Sequence, residues 1–238
     1  MSRTGSARKC NTEGRMNEMS RCVILSACPV QPELKRLLRS DDFIIACDAG
    51  YRNCERLGCK PDIIVGDFDS APCPQQNADD IVVLPHVKDD TDTEYAAKLA
   101  AQKGFDEVLL LGALGGRRVE HTLANLCTGL GLEQRGIRAA LQDERSRITF
   151  VLPGESRRYP KEEFFYFSAF PMEGRAEGVY EKGSFYELED AVLTAGYPLG
   201  VSNEYAEGSD CITISTRQGA LVVLSLIHIS EPTRHSLI

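Results

Sequence analysis

From Cys22 to about Leu141, short apolar runs alternate with longer stretches of helical texture. The runs Cys22–Leu25, Phe43–Cys47, Ile63–Val65, Ile81–Leu84, Val108–Leu111 and Ala139–Leu141 are rich in Ile, Val and Leu and do not alternate with polar residues. Unbroken apolar runs of this length predict strands buried on both faces. Between them, Pro32–Leu38, Tyr51–Leu57, Asp92–Gln102 and Thr122–Glu133 predict helices. Pro32 suits a first helical turn, and Gly58, Gly104 and Gly136 suit C-terminal stops. Strands alternating with helices predict βαβ units and an α/β fold, here a Rossmann-like N-terminal domain with a mainly parallel sheet.

After about Arg147 the texture changes. Tyr, Phe, Thr, Val, Gly and Pro dominate, in runs such as Phe164–Phe170, Ala191–Thr194 and Cys211–Ser215. Turn signals recur every eight to twelve residues or so, which predicts an all-β domain of sandwich type. The expected division is an α/β domain over residues 21–146 and a β-sandwich domain over 147–223. Residues 1–20 are polar and are expected to form a disordered or non-native extension. Leu224–Arg234 (LSLIHISEPTR) back-translates into a transposon adapter used in preparing DNA libraries. Residues 224–238 are therefore expected to be adapter-derived, and His228 and His235 receive no functional weight.

The polar clusters fall where an open α/β sheet binds ligands, at the carboxyl ends of predicted strands. Asp48-Ala49-Gly50 follows Phe43–Cys47, and Gly66-Asp67-Phe68-Asp69-Ser70 follows Ile63–Val65. Two carboxylates spaced two apart on a strand-end turn suit one hard cation, and a solvated acidic turn is the plain alternative. Lys88-Asp89-Asp90-Thr91-Asp92-Thr93-Glu94 opens the third helix. Thr91 or Asp92 is a natural N-cap there, a third carboxylate is on offer, and Lys88 suits a phosphate. Gly112-Ala-Leu-Gly115-Gly116-Arg117-Arg118-Val-Glu120-His121 follows Val108–Leu111. A glycine turn entering a helix presents N–H groups to phosphate, and Arg adds a bidentate clamp. The turn lacks the G-K-[ST] of a Walker A loop, and His121 suits a helix-start hydrogen bond as well as chemistry. Together the clusters specify an anionic ligand and a divalent cation, the inventory of phosphoryl transfer.

Composition narrows the field. A net charge of -8 excludes an electrostatic nucleic-acid binder. No apolar stretch approaches the roughly 20 residues of a membrane span. The nine cysteines include no C-x-x-C pair and no metal-ligand spacing, so a reduced, cytoplasmic thiol set is expected.

The ordered set of motifs resembles the thiamin pyrophosphokinase family. It comprises Pro61–Ser70, Lys88–Glu94, Gly115-Gly116-Arg117 with His121–Asn125, and Gly200-Val201-Ser202-Asn203-Glu204, and the resemblance extends from about Cys22 to Val223. It implies pyrophosphate transfer from ATP to thiamin, giving thiamin diphosphate and AMP, by a Mg²⁺-dependent homodimer with sites between subunits. It implies that Asp67, Asp69 and Asp92 hold Mg²⁺ with Asp48 close by, and that Asp67 or Asp92 accepts the hydroxyl proton. The ATP side would comprise Asp48, Lys88, Thr91, Gly115, Gly116, Arg117 and His121, and the thiamin side Ser202 and Asn203. The chain departs from the family's G-G-R-x-D-H pattern, because Gly115–His121 is one residue longer and has Glu120 for Asp. Ala49 replaces the first Gly of the usual D-G-G turn, and Trp is absent. The same carboxylates would also serve another Mg²⁺-dependent phosphoryl or nucleotidyl transferase or a phosphohydrolase; a non-catalytic nucleotide or thiamin sensor is the third reading.

Overall fold

The computed structural model describes residues 20–68, 80–85, 89–161 and 164–227. Its spine is a run of parallel strands: β1 (Arg21–Leu25), β2 (Phe43–Cys47), β3 (Ile63–Gly66), β4 (Asp80–Val83), β5 (Glu107–Leu111) and β6 (Arg138–Gln142). They lie side by side in the order β4-β3-β2-β1-β5-β6. Successive side chains enter opposite layers. Cys22, Ile24, Ile45, Cys47, Val108 and Leu110 pack with Ala96, Ala97 and Ala100 of α2 (Asp92–Lys103) and Leu132 of α3 (Val119–Gln134). Val23, Leu25, Ile44, Ala46, Leu109 and Leu111 pack on the other face with Leu34 and with Cys54 and Leu57 of α1 (Tyr51–Leu57). Because both faces are covered, these strands have no polar positions to alternate with.

Two segments differ from the pattern-based expectation. Pro32–Leu37 is a 3₁₀ helix, a form that short helical pieces often take. Helix α3 begins at Val119, a turn before the predicted Thr122. That extra turn is exposed, Val119 at 68%, so apolar periodicity gives no sign of it.

The sheet does not end at β6. Asp143 turns the chain by accepting hydrogen bonds from the backbone N–H groups of Arg145 and Ser146 at 2.8 and 2.7 Å. Strand β7 (Ser146–Val151) then returns antiparallel to β6, with Leu141 opposite Ile148. Beyond it lie β14 (Leu221–Ile227), β9 (Phe164–Pro171) and the short β12 (Asn203–Glu204), completing a ten-stranded mixed sheet. Strands β8 (Ser156–Pro160), β10 (Arg175–Lys182), β11 (Leu188–Thr194) and β13 (Cys211–Ser215) make a separate four-stranded antiparallel sheet. Its inward Tyr159, Val179, Leu193, Ile212 and Ile214 meet Val151, Phe167, Leu221 and Val223 of the large sheet in a second core. The fold is thus mixed α/β with one large sheet and a second, antiparallel one.

The packing of α3 makes a test in which two opposing effects can be weighed. At Gly129 an added Cβ would lie 2.7 and 2.8 Å from the Phe150 ring and 2.9 Å from Leu141, whereas at Gly131 it meets nothing within 4 Å. Alanine in a helix is favoured over glycine by about 1 kcal/mol, but forcing a methyl into a packed interior costs about 1–3 kcal/mol. Gly131→Ala is expected to raise the midpoint of thermal unfolding and Gly129→Ala to lower it; circular dichroism melts of the two variants check the opposite signs.

Candidate active site

The sheet order reverses at β1. Strands β2, β3 and β4 extend to one side of β1, and β5 and β6 to the other. The loops leaving β1 and β5 therefore part in opposite directions above the carboxyl ends, and a crevice opens there. The loop after β1 is laced to the β5 side: the backbone N–H of Ser26 donates to Leu111 O at 2.8 Å and that of Cys28 to Gly112 O at 3.0 Å. Gly112 sits at φ 65°, and a Cβ there would come within 2.6 Å of the carbonyl oxygens of Ser26 and Cys28, so glycine is required on both counts. Asn53, fully buried on α1, holds the β1 loop from below. Its Nδ2 donates to Ser26 O and Cys28 O at 2.7 and 2.8 Å, and its Oδ1 accepts from the Val30 N–H at 3.2 Å and from Arg56 at 2.7 Å.

The resulting cleft has a volume of about 440 Å³. Asp48 from the end of β2, Asp67 from the end of β3, and Thr91 and Asp92 from the start of α2 line it, facing Gly115, Gly116, Arg117 and His121 across the opening. Asp48 is buried and held at φ 45°. A carboxylate kept in the left-handed region has its backbone set by its surroundings, an arrangement common where function fixes geometry. Gly66 allows the close approach that joins β3 to this residue: a Cβ on it would lie 3.0 Å from Asp48 Cα.

Thr91 caps α2, its hydroxyl accepting from the Glu94 N–H at 3.1 Å, and Asp92 occupies the first helical position. The helix is fixed to β1 by a buried contact between the Ser26 and Thr93 hydroxyls at 2.9 Å. Cys47 also lines the cleft, but burial above all, then the charge of Asp92, pushes its thiol well above the ordinary range. It is a neutral, packed thiol rather than a nucleophile.

On the glycine side, Thr122 Oγ1 accepts from the Gly115 N–H at 3.1 Å and Asn125 Nδ2 donates to Ala113 O at 2.7 Å, so the first turns of α3 hold the loop. The two adjacent arginines are not equivalent. Arg118 is tied to Glu120 at 2.7 Å, which holds the Glu120 carboxyl below its usual range. Arg117 makes no ion pair among the described residues and lines the cleft with an exposed side chain.

The donor set for a cation consists of hard carboxylate oxygens. Among the described residues no three His, Cys, Asp or Glu side chains cluster tightly enough to cage a metal alone. Mg²⁺ does not need such a cage, since it takes one or two carboxylates and completes its shell with water and phosphate oxygens. Asp69 and Lys88 lie outside the described residues.

Ser202 and Asn203 are not brought to this cleft. Ser202 is exposed at φ 56°, its N–H donating to Ser168 Oγ at 3.0 Å. Asn203 is buried at the start of β12, where its Nδ2 donates to Glu181 Oε2 at 2.9 Å and to Tyr186 O at 2.8 Å. Its Oδ1 accepts from the Tyr186 N–H at 3.1 Å, so the amide is committed to holding the Phe185-Tyr186 turn.

Residues 34–141 match the model of the thiamin pyrophosphokinase catalytic domain, and residues 158–221 match the model of the family's vitamin B1 binding domain. The chain belongs to the thiamin pyrophosphokinase family. It is 27% identical over 198 residues to thiamine pyrophosphokinase of Bacillus subtilis (strain 168), covering 81% of this chain and 91% of that protein. The crystal structure of thiamin pyrophosphokinase from Geobacillus thermodenitrificans shares 25% identity and a TM-score of 0.76, over 88% of this chain and 99% of that one. The yeast thiamin pyrophosphokinase structure shares only 11% identity, yet a TM-score of 0.71 over 89% of this chain and 87% of that one shows the same fold.

Thr93 and Arg118 of the quoted motifs line the cleft as well, and so do Ser26 and Cys28, which no motif marked, while the equally unmarked Asn53 builds it. Asn53 left one sequence signal: an amide on the inward side of a short helix otherwise anchored by Cys54 and Leu57.

Two outcomes follow. Asn53→Ala would strip the buried carbonyls of Ser26 and Cys28 of their donor, a loss of about 1–3 kcal/mol for each group left unsatisfied. It should lower both the thermal midpoint and the affinity for nucleotide, read by a melt and a nucleotide titration. Burial pushes the Glu181 carboxyl up to about 7, although the Asn203 hydrogen bond pulls the other way. A raised carboxyl binds its proton more tightly in the folded state, so stability falls as pH rises from the ordinary carboxylate range through about 7. Glu181→Gln should remove that slope and stabilise the protein at pH above it by on the order of a few kcal/mol. Denaturant unfolding across the pH range gives the reading.

Proposed function

We infer that this chain transfers the terminal pyrophosphate of ATP to the hydroxyl of thiamin, giving thiamin diphosphate and AMP, and that the cleft between β1 and β5 holds the ATP. As a member of its family it is a kinase-type transferase that uses ATP and thiamin. The observation that carries the assignment of the site is the convergence of Asp48, Asp67 and Asp92 with the Gly115-Gly116-Arg117 turn on one cleft. In this reading the N-terminal half is a Rossmann-like catalytic domain over residues 21–146, and residues 147–223 form a thiamin-binding β-sandwich.

Pyrophosphoryl transfer is chiefly a matter of positioning and charge. Arg117, which has no carboxylate partner among the described residues, swings onto the phosphates, while Arg118 stays paired with Glu120. The N–H groups of Gly115 and Gly116, with Lys88, Thr91 and His121, complete the phosphate side. Asp48, Asp67 and Asp92, joined by Asp69, would hold Mg²⁺. When bound, Mg²⁺ neutralises the charge that gathers on the phosphate oxygens during transfer. Asp67 or Asp92 accepts the proton of the attacking hydroxyl.

The thiamin side requires a second copy of the chain. Ser202 lies away from the cleft of its own chain, beside Phe185, Tyr186 and Val201, whose side chains are 65%, 68% and 45% exposed. Apolar side chains this exposed suit a surface that becomes covered. In a homodimer this surface faces the partner's cleft, Ser202 and the Asn203 turn position the thiamin ring, and Tyr or Phe supplies the stacking. We place the reaction in the cytoplasm. Among the described residues no helix is long and apolar enough to cross a membrane.

The reading is tested by incubating the full chain with ATP, Mg²⁺ and thiamin. AMP and thiamin diphosphate should form in equal amounts and only with both cofactor and acceptor present. Phosphate release without thiamin would indicate a hydrolase instead. Asp67→Asn should lower kcat by at least about a hundredfold with an unchanged thermal midpoint, since metal-centred charge stabilisation is worth several kcal/mol. Normal turnover by that variant at the same Mg²⁺ concentration would remove Asp67 from the site.

A further inference from the structure

A second cavity, of about 410 Å³, opens where β8, an edge strand of the small sheet, faces β6 and β7 of the large one. Its lining contains the guanidinium groups of Arg138, Arg147, Arg157 and Arg158 and the hydroxyls of Thr149, Ser156 and Tyr159, with no carboxylate among the described lining residues. Arg157 is compensated by Glu133 and by Glu155 at 3.7 Å, whereas Arg138 and Arg158 bring positive charge to the cavity without an ion pair among the described residues.

The groups are held to differing degrees. Arg157 is fixed from behind by Glu133 at 2.5 Å, and the two side chains are 13% and 4% exposed. Thr149 Oγ1 and the Tyr159 hydroxyl lie 3.0 Å apart and order the floor. Arg147 has a partner of its own. Arg138 makes no ion pair among the described residues. Arg158 is exposed, and among the described residues its Nε alone is committed, to Cys211 Sγ at 3.4 Å, which leaves its terminal N–H groups for a ligand. Two available guanidinium groups beside a fixed third and a pair of hydroxyls match the several oxygens of a phosphate group, which arginine binds in a bidentate fashion.

The cavity is not an extension of the active-site cleft. The cleft sits at the carboxyl ends of the parallel strands, whereas Arg138 is the first residue of β6. Helix α3 has its first turn at the cleft and Glu133, the anchor of Arg157, in its last.

We propose that this cavity is a second anion site, which takes a small phosphate-bearing ligand: inorganic diphosphate or a compact organic phosphate. The test is calorimetric titration of the full chain carrying Arg117→Ala, which weakens phosphate binding in the cleft, in buffer with divalent cations chelated. Inorganic diphosphate and ribose 5-phosphate are the probes. At least one should bind at a single remaining site. Adding Arg138→Ala and Arg158→Ala should weaken that binding at least about tenfold, since hydrogen bonds to charged groups are each worth a factor of this order. Lys at both positions should restore part of it. On an otherwise wild-type chain, the two alanines should leave the thermal midpoint and ATP–thiamin turnover unchanged. Tighter binding of ribose 5-phosphate would identify an organic phosphate as the ligand, and tighter diphosphate binding the free anion. Absence of binding by both probes, or equal affinity with and without Arg138 and Arg158, overturns the proposal.

Discussion

The parallel pairing of β1 with β5 is the constraint on which the rest of the molecule depends. Cys22 to Leu25 lie opposite Val108 to Leu111 in unbroken register, deep between two helical layers. The pairing joins segments separated by the β2–β4 excursion, and it forces the chain to reverse its direction of travel across the sheet. Two loops must then diverge from adjacent strand ends, leaving backbone groups with no ladder partners. The protein satisfies these groups locally: Ser26 and Cys28 donate to the β5 side, and Asn53 binds their carbonyls from beneath. What remains open above is the cleft.

The electrostatics of that cleft follow from its position. Three strand or helix ends each bring an aspartate, and the glycine turn that also lines the cleft carries Arg117, which makes no ion pair among the described residues. Each of these carboxylates is held on a separate element that lines the one cleft. Asp48 shows how firmly, with a backbone conformation that only a fixed environment sustains. The ion pair between Arg118 and Glu120 has a local consequence for the lengthened turn. Arg118 is occupied by Glu120, and Arg117 makes no ion pair among the described residues.

The distal half follows a different logic. Its two sheets bury a core of aromatic and β-branched residues, while Glu181 is enclosed without exposure and is bound by Asn203. A buried carboxyl is expensive, and this one helps to fix the Phe185-Tyr186 turn, which is exposed on a single chain. The Asn203 amide, which motif reading assigns to ligand, is spent on that turn; its influence on a ligand would act through the backbone it shapes.

The parallel strands and their helices were legible in the sequence to within a few residues, because burial on both faces demands unbroken apolar runs and helix ends demand glycine and capping residues. Residues 48, 67, 92 and 115–117 were legible as polar or glycine positions at strand and helix ends, and all of them line the cleft. Other features were settled only by tertiary structure. Local pattern does not encode strand order, so the texture change near Arg147 gave no hint that β7, β14, β9 and β12 continue the first sheet. Nor could composition distinguish Arg117 from Arg118, or mark Asn53 as the support of the cleft, since each depends on partners distant in sequence or on the path of a single turn. The sequence by itself determined which segments become strands and helices and which polar residues stand at their ends, through burial and local hydrogen bonding. The tertiary structure alone decided which ends meet, because that is set by long-range pairing between segments that share the same apolar pattern.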